Sequence, residues 1–280
     1  MKHYAYLISR RIVQVVIILL FIAGNYYGWK ILAGNLSTSF LFGTIPLSDP
    51  YAVLQMFVAG AVISSNLLIG AVIITLFYGV IGGRAFCSWV CPVNIITDAA
   101  NWTRRKFGFD MIAKKTPISR NTRYWVIAVS FILSYFLGLA AFEFISPISM
   151  VHRGLVFGMG FGWAAIVIIY LFDLFVLKNG WCGHICPLGG FYSIIGKFRI
   201  LKVKHDSEAC TACMKCKVVC PENQVLHMIA KESLPVLSGE CTNCGRCIDV
   251  CDDNALVFFL KIEINKKGEK NNEKNNESIA

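Results

Sequence analysis

Four apolar runs stand out along the chain, each long enough for a helix that crosses a bilayer, which takes roughly 20 residues. They lie near Ile12–Ala33, Val53–Ile81, Tyr124–Ser146 and Val156–Lys178. The polar positions between them are unevenly charged. The loop after the second run carries Arg84, Arg104, Arg105, Lys106, Lys114, Lys115, Arg120 and Arg123. By contrast, Asn35–Gln55 holds no Lys or Arg, and the link Pro147–Leu155 holds only Arg153. Loops rich in Lys and Arg stay on the cytoplasmic side. The pattern predicts an α-helical membrane protein with four transmembrane helices, multi-pass in a bacterial inner membrane, with both termini and the central loop in the cytoplasm.

Two repeats sharpen this. The second run ends in Gly83-Arg84-Ala85-Phe86-Cys87-Ser88-Trp89-Val90-Cys91-Pro92, and the fourth is followed by Gly180-Trp181-Cys182-Gly183-His184-Ile185-Cys186-Pro187. Each motif is trailed by an amphipathic stretch with basic residues, Asn94–Phe107 and Phe191–Arg199, suited to the inner membrane interface. The N-terminal two-thirds therefore reads as two helical hairpins, each ending in Cys-x-x-x-Cys-Pro. The second repeat is a pair of cysteine runs nearer the C-terminus. Residues 1–199 form the expected membrane domain, 200–260 a small cysteine-rich domain, and 261–280, rich in Lys, Asn and Glu, a disordered tail.

Ser9-Arg10-Arg11 resembles a twin-arginine export signal. The first run is too long for a signal-peptide core and has no convincing cleavage site. A charged anchor that holds the N-terminus inside is the reading adopted.

Composition agrees. Charged residues make up 16% of the 280 and the mean hydropathy is +0.58, against about 25% charged in a soluble domain. The net charge of +10 sits between and after apolar runs, which suits an anionic leaflet and excludes a nucleic-acid-binding face. Twelve cysteines on the reducing side of a membrane point to metal rather than disulfides.

The cysteine spacing carries the chemistry. Cys210-x-x-Cys213-x-x-Cys216-x-x-x-Cys220-Pro221 is followed by Cys241-x-x-Cys244-x-x-Cys247-x-x-x-Cys251. This is similar to the bacterial two-cluster ferredoxin run, in which the fourth cysteine of each motif serves the other cluster. Carried over residue by residue, one [4Fe–4S] cluster takes Cys210, Cys213, Cys216 and Cys251, and the other takes Cys241, Cys244, Cys247 and Cys220. A tight turn aims three sulfurs at one cubane while the fourth points away from it. The flanking segments Ile200–Lys204 and Ala255–Leu260 are β-prone and suited to pairing, which makes this an α+β ferredoxin-like domain. Asp252 stands where the second motif usually has proline, which bears on the local turn and not on ligation.

For Cys87, Cys91, Cys182 and Cys186 three readings stand. On a helix, i and i+4 cysteines share a face, so four thiols from two hairpins can meet and hold a further metal or redox centre. They can also form thiol–disulfide pairs, or be small buried residues. Duplication of the motif at one depth favours the first. Asp173, within the fourth run, reads as a structural partner of Arg84 or Lys178, and His184 as a polar neighbour of the cysteines.

Taken in order, these parts from Ser9 to Leu260 resemble the NapH-type membrane quinol dehydrogenases of periplasmic nitrate reductase systems. The resemblance implies an electron-transfer subunit, an oxidoreductase component. It would take electrons from the membrane quinol pool and pass them, through two [4Fe–4S] clusters, to a periplasmic iron–sulfur protein of NapG type and on to nitrate reductase. An assembly factor that reduces a metal or cofactor for another respiratory enzyme is the alternative, and a redox sensor a weaker one. Quinol oxidation releases protons, so a base must lie near the hydroxyls; on the outer side Glu143 and His152 are the candidates.

Metal analysis tests the cysteine reading directly. Two cubanes give about eight iron atoms per chain, and more if the Cys-Pro motifs hold a centre. Zinc in place of iron after anaerobic purification would overturn it.

Overall fold

The computed structural model describes residues 4–108, 118–158, 160 and 162–260. The expected tail and the basic residues Lys114 and Lys115 lie outside the described residues. Among the described residues two helices are long and apolar enough to cross a membrane: α1 (Ala5–Tyr26), and α3 (Ser65–Phe77) extended by a π-helical turn to Gly82. Two shorter apolar helices accompany them, α6 (Thr122–Leu137) and α9 (Gly162–Leu171), the latter continued by a π-helical turn to Val176. All four leave large apolar side chains exposed on their outward faces, among them Ile12, Leu19, Leu68, Leu76, Ile132, Phe136 and Ile168.

The elements are shorter than the apolar runs that announce them, for local reasons. The run Val53–Ile81 is split. Asp49 caps α2 (Pro50–Val58) by accepting from the Tyr51 N–H at 3.1 Å, and Pro50 fills its first turn. Gly60 then turns the chain in a left-handed conformation (φ +71°) before Ser64 caps α3. The run Tyr124–Ser146 is cut at Gly138, which takes the left-handed conformation that ends many helices. Short α7 (Ala141–Ile145) follows. The link read as an outer loop is itself helical, α8 (Pro147–Phe157), with Pro147 in its first turn.

At the end of the bundle near α2 and α8 the chain builds a small sheet that hydrophobic patterning did not announce. Its strands β1 (Leu32–Gly34), β2 (Thr38–Leu41) and β3 (Ile45–Ser48) pair antiparallel in that order. β3 lies on α3 at Gly70, where a Cβ would come within 2.9 Å of the Ser48 backbone nitrogen. Only glycine admits that approach.

The opposite end carries the cysteines. α4 (Ala85–Trp89) ends before Cys91, and the second motif forms a π-helical turn, Trp181–Ile185. The i, i+4 helical face expected of these motifs is thus replaced by one short turn each. α5 (Val93–Lys106) is amphipathic with a basic last turn, as expected of the first trailing stretch. Its counterpart α10 (Pro187–Ile195) packs on α6 through Gly190, and of the second trailing stretch Phe191–Arg199 only Ile194, Lys197 and Phe198 are exposed.

The C-terminal unit pairs β4 (Leu201–His205) with β5 (Leu256–Leu260) antiparallel, over a core that includes Val203, Val225, Leu226, Val236 and Leu256. Between the strands lie short α11 (Lys215–Val219) and α12 (Arg246–Asp249). This unit is bolted to the bundle by buried charge. Glu222, 2% exposed, accepts from Arg84 at 2.7 Å and from Arg120, with Arg123 at 3.5 Å. Arg123 also pairs with Glu240. Ser88 Oγ donates to the Thr242 carbonyl at 2.7 Å, and Trp89 Nε1 to that of Asn243 at 3.0 Å.

Removing one partner of a buried ion pair costs about 3–5 kcal/mol, because the remaining charge is left uncompensated. Glu222→Ala takes the buried carboxylate from Arg84 and Arg120 and leaves Arg123 with Glu240 alone, so limited proteolysis should release the 200–260 region far faster than from wild type. Equal resistance would contradict this account of the junction.

Candidate iron–sulfur centres and the path between them

The two cysteine runs fold alike. Ala212 and Met214 in the first, and Asn243 and Gly245 in the second, take positive φ (59°, 61°, 48° and 72°). These paired left-handed residues curl each Cys-x-x-Cys-x-x-Cys tightly before α11 and α12 begin. Gly245 cannot carry a side chain, since a Cβ would sit 2.4 Å from Tyr6 Cγ.

The curled runs line two small cavities. Cys210, Cys213, Cys216 and Cys251 line one, with Ile229 and Leu256; Cys220, Cys241, Cys244 and Cys247 line the other, with Val236 and Arg246. The structure thus gathers the eight cysteines in the two sets carried over from the spacing. Among the described residues no three His, Cys, Asp or Glu side chains converge tightly enough for a single ion; the sulfurs surround a volume instead, as a cubane requires.

Electrostatics tests whether such a body fits. Burial pushes the thiols of Cys220 and Cys247 well up, and the sulfur of Cys244 beside each adds to the effect. Four such groups do not ionise side by side without positive charge among them, which iron supplies. Around this second cavity the protein sets arginines. Arg246 lines it, and Arg199 is fully buried beside Cys241. Arg10 is fully buried near Cys244, and none of its guanidinium nitrogens has a hydrogen-bond partner; its nearest carboxylate oxygen is on Asp98, at 3.9 Å. Asp98 is itself held by Arg11 and Arg246. An orphaned cation against four sulfurs suits an anionic thiolate-bound cluster. The first cavity differs: Cys213 is exposed and the neighbouring charges are Asp253 and the surface pair Lys215–Asp252.

Cys87, Cys91, Cys182 and Cys186 come together in the core of the bundle, near enough to interact electrostatically. None of them is in a disulfide. Cys87 and Cys182, one from each hairpin, line a further small cavity whose opposite wall includes Cys244. Backbone anchors fix this arrangement. Arg84 donates to the Cys182 carbonyl at 3.1 Å, and Gln14 Nε2 to those of Ser88 and Cys91, each at 3.2 Å.

The remaining candidates have structural partners. Asp173 accepts from the Trp181 N–H at 3.0 Å and so braces the second cysteine turn; Arg104 and Asp98 are among its charged neighbours. His184 is buried beside Arg120. At the sheet end Glu143 accepts from Ser37 and Ser149, at 2.5 and 2.7 Å, with Arg153 at 3.8 Å. His152 is not with it: its ring lies edge-on to Phe21 at 4.7 Å, both nitrogens lack partners, and burial, aided by Arg153, pushes it down to about 4.

Sequence reading missed Arg10 and Arg199 as neighbours of the cysteines, because each approaches from far along the chain.

Cysteine-lined cavities at these spacings, one of them in a cationic shell, define a ferredoxin-type iron–sulfur electron-transfer protein. Comparison with known proteins is specific on the point. A family described as a 4Fe-4S binding domain matches residues 66–110 and again 155–204, once for each hairpin, and one described as a 4Fe-4S dicluster domain matches residues 202–252. The chain is 44% identical over 234 residues to the methylamine utilization ferredoxin-type protein MauN of Methylorubrum extorquens, covering 82% of this chain and 80% of that one. It is 42% identical over 237 residues to the ferredoxin-type protein NapH of Escherichia coli, covering 84% and 82%. With NapH of Haemophilus influenzae it shares 44% over 239 residues, covering 83% and 82%. No solved structure matches the chain. The chain belongs to the NapH/MauN family of ferredoxin-type proteins.

Arg10→Gln removes the orphaned cation beside Cys244. A nearby positive charge favours the reduced, more negative state of a cluster, so potentiometric titration should give a lower midpoint potential for the centre nearest Arg10 and leave any other unchanged. An unaltered potential would contradict the role given to this arginine.

Proposed function

We propose that the chain is the membrane electron-transfer subunit of a respiratory system. It oxidises quinol and passes the electrons through its iron–sulfur centres towards a periplasmic reductase, nitrate reductase by the likeness to NapH, by way of a periplasmic iron–sulfur partner. Its cysteines hold two [4Fe–4S] clusters, one at Cys210, Cys213, Cys216 and Cys251 and the other at Cys241, Cys244, Cys247 and Cys220. Cys87, Cys91, Cys182 and Cys186 hold a further redox centre. When bound, each cluster supplies a site that takes and returns single electrons.

The observation that carries this reading is the cavity shared by Cys87, Cys182 and Cys244, since it joins both hairpins to one cysteine set of the dicluster unit. Four apolar helices with exposed apolar faces support four membrane spans. α6, with 16 residues, is roughly 24 Å long at 1.5 Å per residue, so the bilayer thins around it or flanking residues reach to the interface. The arginines at the cysteine end support its cytoplasmic placement, and the sheet end then faces the periplasm.

The methylamine-utilization relatives are as similar as the NapH proteins, and this favours keeping a second reading. In it the same centres supply reducing equivalents for the maturation of another respiratory enzyme.

In anaerobic membranes, quinol should reduce the clusters of the wild-type chain, as read by electron paramagnetic resonance. Cys87→Ser should lose that reduction while dithionite still reduces both ferredoxin-type clusters. Clusters that stay oxidised under quinol would overturn the dehydrogenase reading. A partner enzyme that lacks its metal when this chain is deleted would then establish the second.

A further inference from the structure

At the sheet end of the bundle lies a cavity of about 170 Å³ that none of the cysteine centres uses. An engineered cavity of about 150 Å³ takes up benzene, so this one admits a single aromatic ring. Its walls are largely apolar: Ile17 and Phe21 from α1, Leu36 between β1 and β2, Ile74 from α3. Ser39, Ser48 and Asp49 line it on the sheet side. Its floor is aromatic. Tyr192 stacks on Phe86 with centroids 5.3 Å apart, and Tyr78 meets Tyr192 edge-on at 5.2 Å. Phe86 precedes Cys87 in the chain, and Tyr192 lies within electrostatic reach of both Asp49 and Cys87. Half-buried Ile17 and Ile74 give an apolar tail a way out between two helices.

A ring-sized apolar pocket with a carboxyl at one end and a redox-active cysteine cluster behind the other fits a ligand that gives up protons and electrons in different directions. We infer that this cavity is the quinol pocket of the proposed activity, with Asp49 as the group that accepts the protons. The inference rests on the quinol reading above. The quinol loses two electrons and two protons and leaves as quinone, and two oxidised iron–sulfur centres of this chain each take one electron. The Asp49 carboxylate takes the first proton, hands it past Glu143 to solvent at the sheet end, and then takes the second.

Asp49 is suited to this. Burial, opposed by the N–H groups of Tyr51 and Ala52 and reinforced by Glu143, holds its carboxyl up at about 7. It is therefore charged above neutrality and protonated below. The ionisable groups that face it are Glu143 from α7, Tyr51 from α2 and Tyr192 from α10; Arg153 sits against Glu143. His152 lies behind Phe21, the wall residue.

The competing explanation is that Asp49 only caps α2, and asparagine separates the two, since it caps helices as well as aspartate does. Two variants of the full chain, purified with wild-type iron content and dithionite-reduced spectra, make the test. The probe is a short-tailed, single-ring benzoquinone analogue of the quinol, whose binding is read as quenching of the intrinsic protein fluorescence. Asp49→Asn should bind the analogue within about threefold of wild type, yet slow quinol-driven cluster reduction about 100-fold, the lower range for loss of a proton-transfer group. It should also abolish the fall in rate that wild type shows as pH drops through about 7. Ile74→Trp fills the cavity and should weaken analogue binding at least about tenfold. Wild-type rates and pH profile in Asp49→Asn would overturn the role of Asp49, and undiminished binding in Ile74→Trp would overturn the pocket. If wild type binds the analogue in an Ile74-dependent way but is not reduced by quinol, the pocket stands and the proposed function falls.

Discussion

Glu222 accepts from Arg84 and Arg120, with Arg123 beside it, where the dicluster unit meets both hairpins. Buried charges of this kind persist only when they are paired and hydrogen-bonded, and they tolerate few alternative geometries. Arg84 follows the second apolar helix, Arg123 opens α6, and Glu222 follows the first cysteine run. The network therefore fixes three distant segments at one point. The shared cavity of Cys87, Cys182 and Cys244 lies against it, lined also by Arg84 and Glu222. These charges hold the register between the hairpin cysteines and those of the C-terminal unit, together with the Arg123–Glu240 pair, the grip of Arg11 and Arg246 on Asp98, and hydrogen bonds from Ser88, Trp89 and Asn243.

The same junction makes the two cysteine sets unlike. The set that includes Cys244 is enclosed among Arg10, Arg199 and Arg246, while the set that includes Cys213 faces outward beside Asp253 and Asp252. Surrounding positive charge raises the potential of a centre, and negative charge with solvent exposure lowers it. Under the proposed function the inner set would be the first acceptor from the bundle, both by position and by charge. At the far end of the bundle Phe86, Tyr78 and Tyr192 line the cavity that Asp49 also lines, on the side of Cys87; under the proposed function protons and electrons would leave it in different directions.

The parts of this arrangement that are local in sequence were legible there. Cysteine spacing announced both sets, because one curled turn determines where three sulfurs point, and the β-prone segments around Val203 and Phe258 do pair. The apolar runs announced the helices but not their ends. Gly60, Gly138 and Pro147 cut them at places where hydropathy continues unbroken. What depends on long-range approach was not legible. The sheet at Leu32–Ser48 exists because Gly70 lets β3 lie on α3, and the approach of Arg104 to Asp173 and the burial of Arg10 are set by segments far away in the chain. Glu143 and His152 looked like neighbours across Pro147, yet α8 turns His152 towards Phe21 while Glu143 binds serines.

Under the proposed function electrons would enter the dicluster unit from the hairpins, through the cysteine set nearest them. Freeze-quench electron paramagnetic resonance after mixing the oxidised chain with quinol tests it most directly, with signals assigned by a Cys213→Ser variant that lacks one ligand of the outer set. The account predicts that the signal of the centre at Cys220, Cys241, Cys244 and Cys247 forms first and the outer one later. If the outer centre were reduced first, the path through Cys87, Cys182 and Cys244 would be contradicted.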